Sequence, residues 1–147
     1  PWMPWIENMK SVEFIQQFIA GSVHRHAAKT EYAFVIFENG KMVGRIGIYQ
    51  IDRHNKSGEI GYWIGEDFQG KGIVVKSCKA IISYAFQYLD LNRIQIRCAT
   101  ENTKSQQIPE RLNFKKEGIL RQAEAVQGNL LDLVLYSILK EEWNHEF

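Results

Sequence analysis

A glycine-rich segment that opens directly into a long apolar stripe is the feature that most restricts how this chain can fold. Residues 65–72 read GEDFQGKG, and residues 73–89 then place apolar side chains at helical spacing over four turns. The run just before them, Glu59–Ile64, is typical of a strand. A strand, a glycine turn and an amphipathic helix in this order predict a helix packed on one face of a sheet.

Strand patterns stand on both sides of this unit. Asn39-Gly40 lies between two strand-like runs and is the strongest short hairpin signal, so the runs before residue 65 predict an antiparallel meander. Ser11 is predicted to cap a first helix, which either ends at Gly21 or continues to about Ala28. The order of elements predicts an α+β fold with a mixed, mostly antiparallel sheet flanked by helices. The predicted strands are Tyr32–Phe37, Met42–Ile51, Glu59–Ile64, Arg93–Ala99, Phe114–Val126 and Leu130–Leu139, and the later helices are Ile73–Leu89 and Asn102–Asn113.

Length and charge exclude several classes of protein. The 147 residues correspond to one domain, and 18 Lys and Arg against 17 Asp and Glu leave a net charge of +1. That balance argues against binding to nucleic acid, and no apolar run approaches the ~20 residues of a membrane span. Cys78 and Cys98 show no metal-ligand spacing, so no metal is predicted, and two unpaired thiols favour a reducing, cytoplasmic location. The chain begins with Pro1 rather than Met, which predicts that it is N-terminally incomplete.

The segment Gln69-Gly70-Lys71-Gly72-Ile73 is predicted to hold a pyrophosphate. Glycine lets the backbone turn tightly and approach a ligand. The first amides of a helix have no partner within the helix and lie at the positive end of its dipole, where an anion binds well. The spacing is neither that of a Walker loop nor that of a dinucleotide fingerprint. Two glycines alone are more often a structural turn between a strand and a helix, so a second motif has to decide.

That second motif follows the next predicted strand. FQGKGI is followed by LNRIQIRCATENTKSQQIPERLNF, and the two together resemble the GCN5-related N-acetyltransferases (GNAT superfamily). Within that superfamily they are similar to the branch that acetylates the N-terminal amine of ribosomal proteins. The resemblance covers essentially all of residues 1–147 and implies a single N-acetyltransferase domain. Because the family fold begins with one more strand, it also implies that the first strand is missing from this chain.

The resemblance implies where acetyl-CoA, the cosubstrate, would lie. In the family it occupies a V-shaped gap between two diverging strands, which here are Glu59–Ile64 and Arg93–Ala99. Backbone groups of the first strand pair with the pantetheine arm, an Asn after the second strand contacts that arm, and the glycine-rich loop holds the pyrophosphate. The residues assigned to acetyl-CoA are Trp63, Ile64, Gln69, Gly70, Lys71, Gly72, Ile73, Val74, Asn102 and Ser105.

The resemblance also implies the catalytic residues. The superfamily's usual general acid, a Tyr seven positions after the Asn, falls at Pro109, which has no titratable group. The ribosomal branch instead uses a Ser three positions after the Asn, here Ser105, and the Glu of a Gln-Ala-Glu sequence, here Glu124. A carboxylate can take the proton of the attacking amine, and a serine hydroxyl can stabilise the leaving thiolate. Glu59, at the start of the strand beside the gap, is the alternative base and a substrate-side residue.

The acceptor is left open among several alternatives. A protein N-terminus has an amine pKa of about 7.7–8.0 and is partly neutral near pH 7, unlike lysine at about 10.4. Trp5 is predicted either to form a platform for the acceptor peptide or to cover the core. A small amine such as a polyamine or an antibiotic is the second candidate, although the first segment offers only Glu7 and Glu13 to attract a polycation. A non-catalytic acyl-CoA-binding protein is the third, and an exposed sheet edge makes homo-oligomers plausible.

Overall fold

The computed structural model describes residues 12–144, so the predicted cap at Ser11 and the predicted substrate residue Trp5 lie outside the described residues. The described part contains three α-helices and six strands. They follow the chain in the order α1 Val12–Ala27, β1 Tyr32–Glu38, β2 Lys41–Asp52, β3 Ser57–Ile64, α2 Ile73–Tyr88, β4 Arg93–Ala99, α3 Thr103–Arg111, β5 Lys115–Val126 and β6 Asn129–Leu139.

The six strands form one sheet in the order β1-β2-β3-β4-β6-β5. Neighbouring strands are antiparallel except β3 and β4, which are parallel. A parallel pair needs a crossover between its strands, and α2 supplies it. The predicted α+β fold with a mostly antiparallel sheet is therefore confirmed, and the predicted strands and helices match to within about two residues at their ends.

The core lies between α2 and one face of the sheet. Alternate residues of the strands, among them Ile48, Ile60 and Ile94, are buried against Cys78 and Ile82 of α2. Burial of one such side chain contributes about 1.5–3 kcal/mol, so this face and the stripe on α2 hold the domain together. Both cysteines are free thiols and buried.

The first helix lies against the other face of the sheet. It runs through Gly21 to Ala27, which confirms the continuation of the apolar pattern. The Arg45 guanidinium of β2 stacks on the ring of Phe18, 4.8 Å from its centroid, and donates to Ser22 Oγ at 2.8 Å. The buried carboxylate of Glu31 accepts from Ser22 and Arg25. The two faces thus differ in chemistry, because one is apolar and the other carries paired charges.

Within the described residues, no helix combines the length and the hydropathy that a membrane span requires.

Candidate active site

Strands β3 and β4 separate along their length. Their parallel register covers three pairs and stops at Glu59–Gln95. Beyond that pair β3 remains in register with β2 as far as Ile64, and β4 remains in register with β6 as far as Ala99. A gap therefore opens in the sheet between residues 60–64 and residues 96–99. Trp63 and Ile64, predicted to contact the cosubstrate, lie at its wide end.

The glycine-rich loop forms a cradle at the start of α2. Gly70 and Gly72 have φ of +73° and +74°, a backbone conformation that favours glycine. Gly72 caps α2 without any side-chain hydrogen bond, and a Cβ on either glycine would meet no atom within 4 Å. The first amides of this 16-residue helix have no partner within the helix, and the space beside both glycines is open. The cradle suits a pyrophosphate, because the helix dipole adds to these unpaired donors.

The side chains around the cradle leave that space open. Val74 is 7% exposed and packs into the core, so its branched side chain points away from the cradle. The ammonium of Lys71 lies 5.2 Å from the centroid of the Phe68 ring, and Lys41 lies 5.8 Å from the same ring. The aromatic face holds the two cations beside the loop. Gln69 ends the short turn before the cradle, and its backbone N–H donates to the carbonyl oxygen of Glu66.

The beginning of α3 brings Asn102 and Ser105 together. Asn102 caps the helix, and its side-chain oxygen accepts from the Ser105 amide at 3.2 Å. Gln106 ties the same turn to the end of β4 by donating to the carbonyls of Ala99 and Thr100 at 3.0 and 2.9 Å. The cap therefore fixes the turn that carries the predicted thiolate-stabilising serine, and leaves the nitrogen of the Asn102 amide available for another partner.

Tyr62, which sequence reasoning missed, reaches Ser105 across the gap. Its phenol oxygen is 3.0 Å from the Ser105 carbonyl oxygen and 3.1 Å from Ser105 Oγ. Cys98 of β4 lies against both residues. Burial raises the pKa of Tyr62 well above its ordinary value and raises the pKa of the Cys98 thiol. The side chains of Tyr62, Cys98 and Ser105 on this side of the gap are therefore uncharged at neutral pH.

The opposite face of the sheet carries charged groups at the apex of the gap. The carboxylate of Glu59 accepts from Gln95 Nε2 at 2.9 Å and is ion-paired with Arg97 Nε at 2.9 Å. Both of its oxygens have a donor, since Arg97 Nε also lies 3.0 Å from the second one. Charge-assisted bonds of this kind are stronger than neutral ones and fix the side chain in place. The Glu59 carboxylate is thus held by Gln95 and Arg97.

Glu124 reaches this same face because β5 is irregular. Leu120 pairs with Leu133 and Glu124 with Leu131, so residues 121–123 are set opposite the single residue Asp132. Gln122 has φ of +49°, and its amide donates to Asp132 Oδ1 at 2.7 Å. A bulge of this type turns a side chain in a direction that a regular strand would not give it. In the described residues the Glu124 carboxylate has no hydrogen bond and no ion pair.

The electrostatics of Glu124 differ from those of Glu59. Burial raises the pKa of Glu124, the positive charge of Arg97 lowers it, and the negative charge of Glu59 raises it. A carboxyl with a raised pKa is a better proton acceptor near neutral pH. The structure thus leaves Ser105 on the core side of the gap and Glu124 on the other. Arg97 and Gln95, which set the charge of this side, were also missed from the sequence, where only their alternation along β4 pointed to them.

Comparison with known proteins agrees with this geometry. The family model described as "Acetyltransferase (GNAT) domain" matches residues 1–115. The putative ribosomal N-acetyltransferase YdaF of Bacillus subtilis (strain 168) is 39% identical over 147 residues, which is 99% of this chain and 80% of YdaF. The ribosomal-protein-serine acetyltransferase of Escherichia coli (strain K12) is 34% identical over 133 residues, which is 90% of this chain and 74% of that protein. Among solved structures, RimL, a ribosomal L7/L12 alpha-N-protein acetyltransferase in complex with coenzyme A, has a TM-score of 0.90 at 29% identity and covers 94% of this chain and 78% of its own.

A sheet that splays open beside a glycine cradle defines a class of protein, the transferases that take an acyl group from coenzyme A. The chain belongs to the GNAT acetyltransferase family. It is an N-acetyltransferase, and acetyl-CoA is its acetyl donor. Residues 12–144 contain no group of three or more His, Cys, Asp and Glu side chains that could hold a metal ion.

Binding of the donor is expected to stabilise the protein measurably. At about 100 times its Kd, acetyl-CoA adds about 2.7 kcal/mol to the free energy of unfolding, which raises the Tm of a domain of this size by roughly 5–10 °C. Thermal unfolding with acetyl-CoA and with CoA should both give this shift, since both carry the pyrophosphate and the pantetheine arm, whereas ATP lacks the arm. ATP at the same concentration is the control and should give a much smaller shift. An equal shift with ATP would mean that the cradle binds phosphates without selecting coenzyme A.

Proposed function

We propose that this enzyme acetylates the N-terminal α-amine of a protein, such as a ribosomal protein. The observation that carries the proposal is Glu124, a half-buried carboxylate with a raised pKa and no hydrogen-bonding partner within the described residues, on the acceptor side of the gap. The α-amine needs only a modest base because its own pKa is about 7.7–8.0. Because its pKa is raised, this carboxylate is a better proton acceptor for such an amine than an ordinary glutamate would be.

The proposed binding mode uses the cradle and the strands of the gap. Backbone groups of Trp63 and Ile64 pair with the pantetheine arm as an added strand would. The amide nitrogen of Asn102 adds a contact to the same arm. The pyrophosphate lies against the amides of Gly70–Val74, with Gln69, Lys71 and Ile73 beside it. This arrangement delivers the thioester to the narrow part of the gap, between Ser105 and Glu124.

The proposed reaction is a direct transfer. The neutral amine attacks the thioester carbon, a C–N bond forms, and the C–S bond breaks with its electron pair on sulfur. Glu124 takes the proton from the amine nitrogen, directly or through one water. Ser105 donates a hydrogen bond to the leaving thiolate and keeps its own proton, because a thiol of pKa near 8.5 leaves readily as thiolate. A backbone N–H near Ile64 stabilises the oxyanion that develops on the carbonyl.

The charge balance of the acceptor side supports a peptide end rather than a polyamine. Glu59 is paired with Arg97, and Glu31 lies between Arg25 and Arg45. A polycation is attracted by several unpaired carboxylates, and of the described carboxylates Glu31, Glu59 and Glu124 only the last is unpaired. A cavity of about 430 Å³ next to Glu59 can accept the first side chains of a peptide; it is lined by Arg25, Thr30, Glu31, Tyr49, Gln50 and Glu59.

The test offers the enzyme four acceptors with acetyl-CoA. They are a peptide beginning with serine, the same peptide beginning with alanine, an N-terminally blocked version containing an internal lysine, and spermidine. Thiol release gives the rate, and mass spectrometry locates the acetyl group. We expect transfer to the α-amine of the two free peptides and little to the others. Transfer only to lysine or only to spermidine would overturn the proposal, and transfer to none would favour a non-catalytic protein.

Two substitutions are expected to move the pH dependence of this activity in opposite directions. Arg97→Gln removes the charge that lowers the pKa of Glu124, so the pH of half-maximal kcat/KM should rise. Glu59→Gln removes the charge that raises that pKa, so the same pH should fall. The acceptor amine adds its own limb to the profile, but that limb belongs to the peptide and is equal for all variants.

The matched control for this pair is Arg93→Gln. Arg93 lies on the same strand and face as Arg97, and its partner is Glu117 rather than Glu59. It is expected to leave the pH profile where the wild type has it. A shift of the same sign in Arg97→Gln and Glu59→Gln would show that the limb does not report Glu124.

A further inference from the structure

Tyr62 is a partly buried phenol that the reaction described above does not use. It lies on β3, opposite Ile46 of β2, on the face that packs against the core. Its ring spans the gap between the strands, and its phenol oxygen reaches both the carbonyl oxygen and Oγ of Ser105 at 3.0 and 3.1 Å. The two residues are 43 positions apart in the chain. Tyr62 thus connects the strand proposed to hold the pantetheine arm to the helix turn that carries Ser105.

Pro109 explains why the Ser105 carbonyl accepts from a side chain. In a regular helix that carbonyl would accept from the amide four residues later. The residue four positions after Ser105 is Pro109, which lies inside α3 and has no N–H. The carbonyl is thereby left for another donor, and the phenol of Tyr62 takes that place at 3.0 Å. The proline where the superfamily carries its acidic tyrosine thus creates the acceptor that Tyr62 satisfies.

The phenol keeps its proton at neutral pH because burial raises its pKa. It has one proton to donate, and two oxygens of Ser105 and the sulfur of Cys98 lie within reach. When that proton points at the carbonyl, the Ser105 hydroxyl can donate back to the phenol oxygen. When it points at Oγ, the Ser105 proton is free to point elsewhere, and the hydroxyl becomes a better donor because it is itself accepting a hydrogen bond.

We propose that Tyr62 is a positioning residue that holds the Ser105 hydroxyl with its proton directed at the sulfur of the thioester. The inference rests on the thiolate-stabilising role proposed for Ser105. No proton leaves Tyr62 or Ser105 in the step. As the C–S bond breaks, the electron pair stays on sulfur, which accepts a hydrogen bond from Ser105 Oγ, while the phenol proton of Tyr62 turns from the Ser105 carbonyl to Ser105 Oγ.

The experiment compares Tyr62→Phe, Ser105→Ala and the double variant. Ser105→Ala removes a donor to developing charge and is expected to lower kcat on the order of 10²-fold. Tyr62→Phe keeps the ring and removes the hydrogen bond, so kcat should fall about 10-fold while the KM for acetyl-CoA stays unchanged. In the Ser105→Ala background Tyr62→Phe should have no further effect, because the group on which it acts is gone.

Tyr136→Phe is the matched control. Tyr136 is also a buried phenol bonded to α3, but its partners are Glu110 and Gln106, further along the helix. Both substitutions remove one buried hydrogen bond, so both should lower the free energy of unfolding by about 1 kcal/mol. Tyr136→Phe should keep the wild-type kcat. The unfolding measurement shows that any difference in kcat between the two variants does not come from a loss of folded protein.

The outcomes separate this inference from the proposed function. Rates are measured with whichever free amine, peptide or spermidine, is turned over by the wild type. Equal loss of kcat in Tyr62→Phe and Tyr136→Phe, or the same loss from Tyr62→Phe with and without Ser105, would overturn the positioning role while leaving Ser105 in place. Wild-type kcat in Ser105→Ala would overturn both the positioning role of Tyr62 and the thiolate-stabilising role of Ser105. If kcat falls in Ser105→Ala and Tyr62→Phe lowers it no further in that background, the result supports the roles of both residues.

Discussion

Replacing Glu124 with glutamine is expected to lower kcat by a factor of about 10²–10³ and to leave the affinity for acetyl-CoA unchanged. The amide keeps the size of the side chain but cannot take the proton from the attacking amine, and a positioned base contributes about 10²–10⁴ in rate. Glu124 has no hydrogen bond or ion pair in the described residues, so the substitution breaks no structural contact there. Steady-state kinetics with the serine-initiated peptide measure the first effect, and titration with CoA measures the second.

Glu117→Gln is the control for this prediction. Glu117 lies on the same strand, but its carboxylate is paired with Arg93 and its pKa is lowered mainly by that hydrogen bond. It is expected to keep the wild-type kcat. Glu59→Gln separates the two candidate bases, since the ion pair with Arg97 leaves Glu59 little freedom to act as one. A loss of 10²-fold or more in Glu59→Gln with little loss in Glu124→Gln would exchange their roles.

Replacing Gly72 with alanine is expected to weaken binding of CoA about 10- to 100-fold. Gly72 caps α2 at φ of +74°, and the space in which its Cβ would project is open. That space is where the pyrophosphate is proposed to lie, so the added methyl group separates the anion from the helix amides. A hydrogen bond to a charged group contributes about 1.5–3 kcal/mol. Weakening two such bonds in part accounts for a loss of CoA affinity of about this size. Calorimetric titration with CoA measures it.

Gly40→Ala is a close match for this substitution. Gly40 lies in the hairpin between β1 and β2 at φ of +76°, and a Cβ there also meets nothing within 4 Å. An L-residue at either position costs roughly 1–2 kcal/mol of stability. Both variants should therefore lose similar Tm, while only Gly72→Ala loses affinity for CoA. If Gly40→Ala weakened CoA binding as much, the effect would come from lower stability rather than from the cradle.

The parts of the site that depend on neighbours along the chain could be predicted from the sequence. Gly70 and Gly72 could be placed at the start of a helix because positive φ and unpaired first amides are local properties. Asn102 and Ser105 could be placed in one turn because they are three residues apart. The bounds of the strands followed from alternation in the same way, and the fold class followed from their order.

The parts that join distant segments could not be predicted in the same way. The bulge that presents Glu124 depends on the hydrogen bond from the Gln122 amide to an oxygen of Asp132, ten residues after Gln122. It also depends on the register of β5 against β6. The pairing of Glu59 with Arg97 requires β3 and β4 to be neighbours, and the sequence shows only that each is a strand. For that reason the sequence could name Glu124 as the base and Glu59 as its alternative but could not show which of the two carboxylates is ion-paired.

The sequence by itself determined the elements, the cradle and the family to which the chain belongs, because these depend on spacing along a few turns or strands. Only the tertiary structure decided which carboxylate is ion-paired and which has no hydrogen bond or ion pair within the described residues, and which phenol meets Ser105. The physical reason is that charge, burial and hydrogen bonding are set by the atoms nearest in space. Across the gap between β3 and β4 those atoms come from residues 43 positions apart.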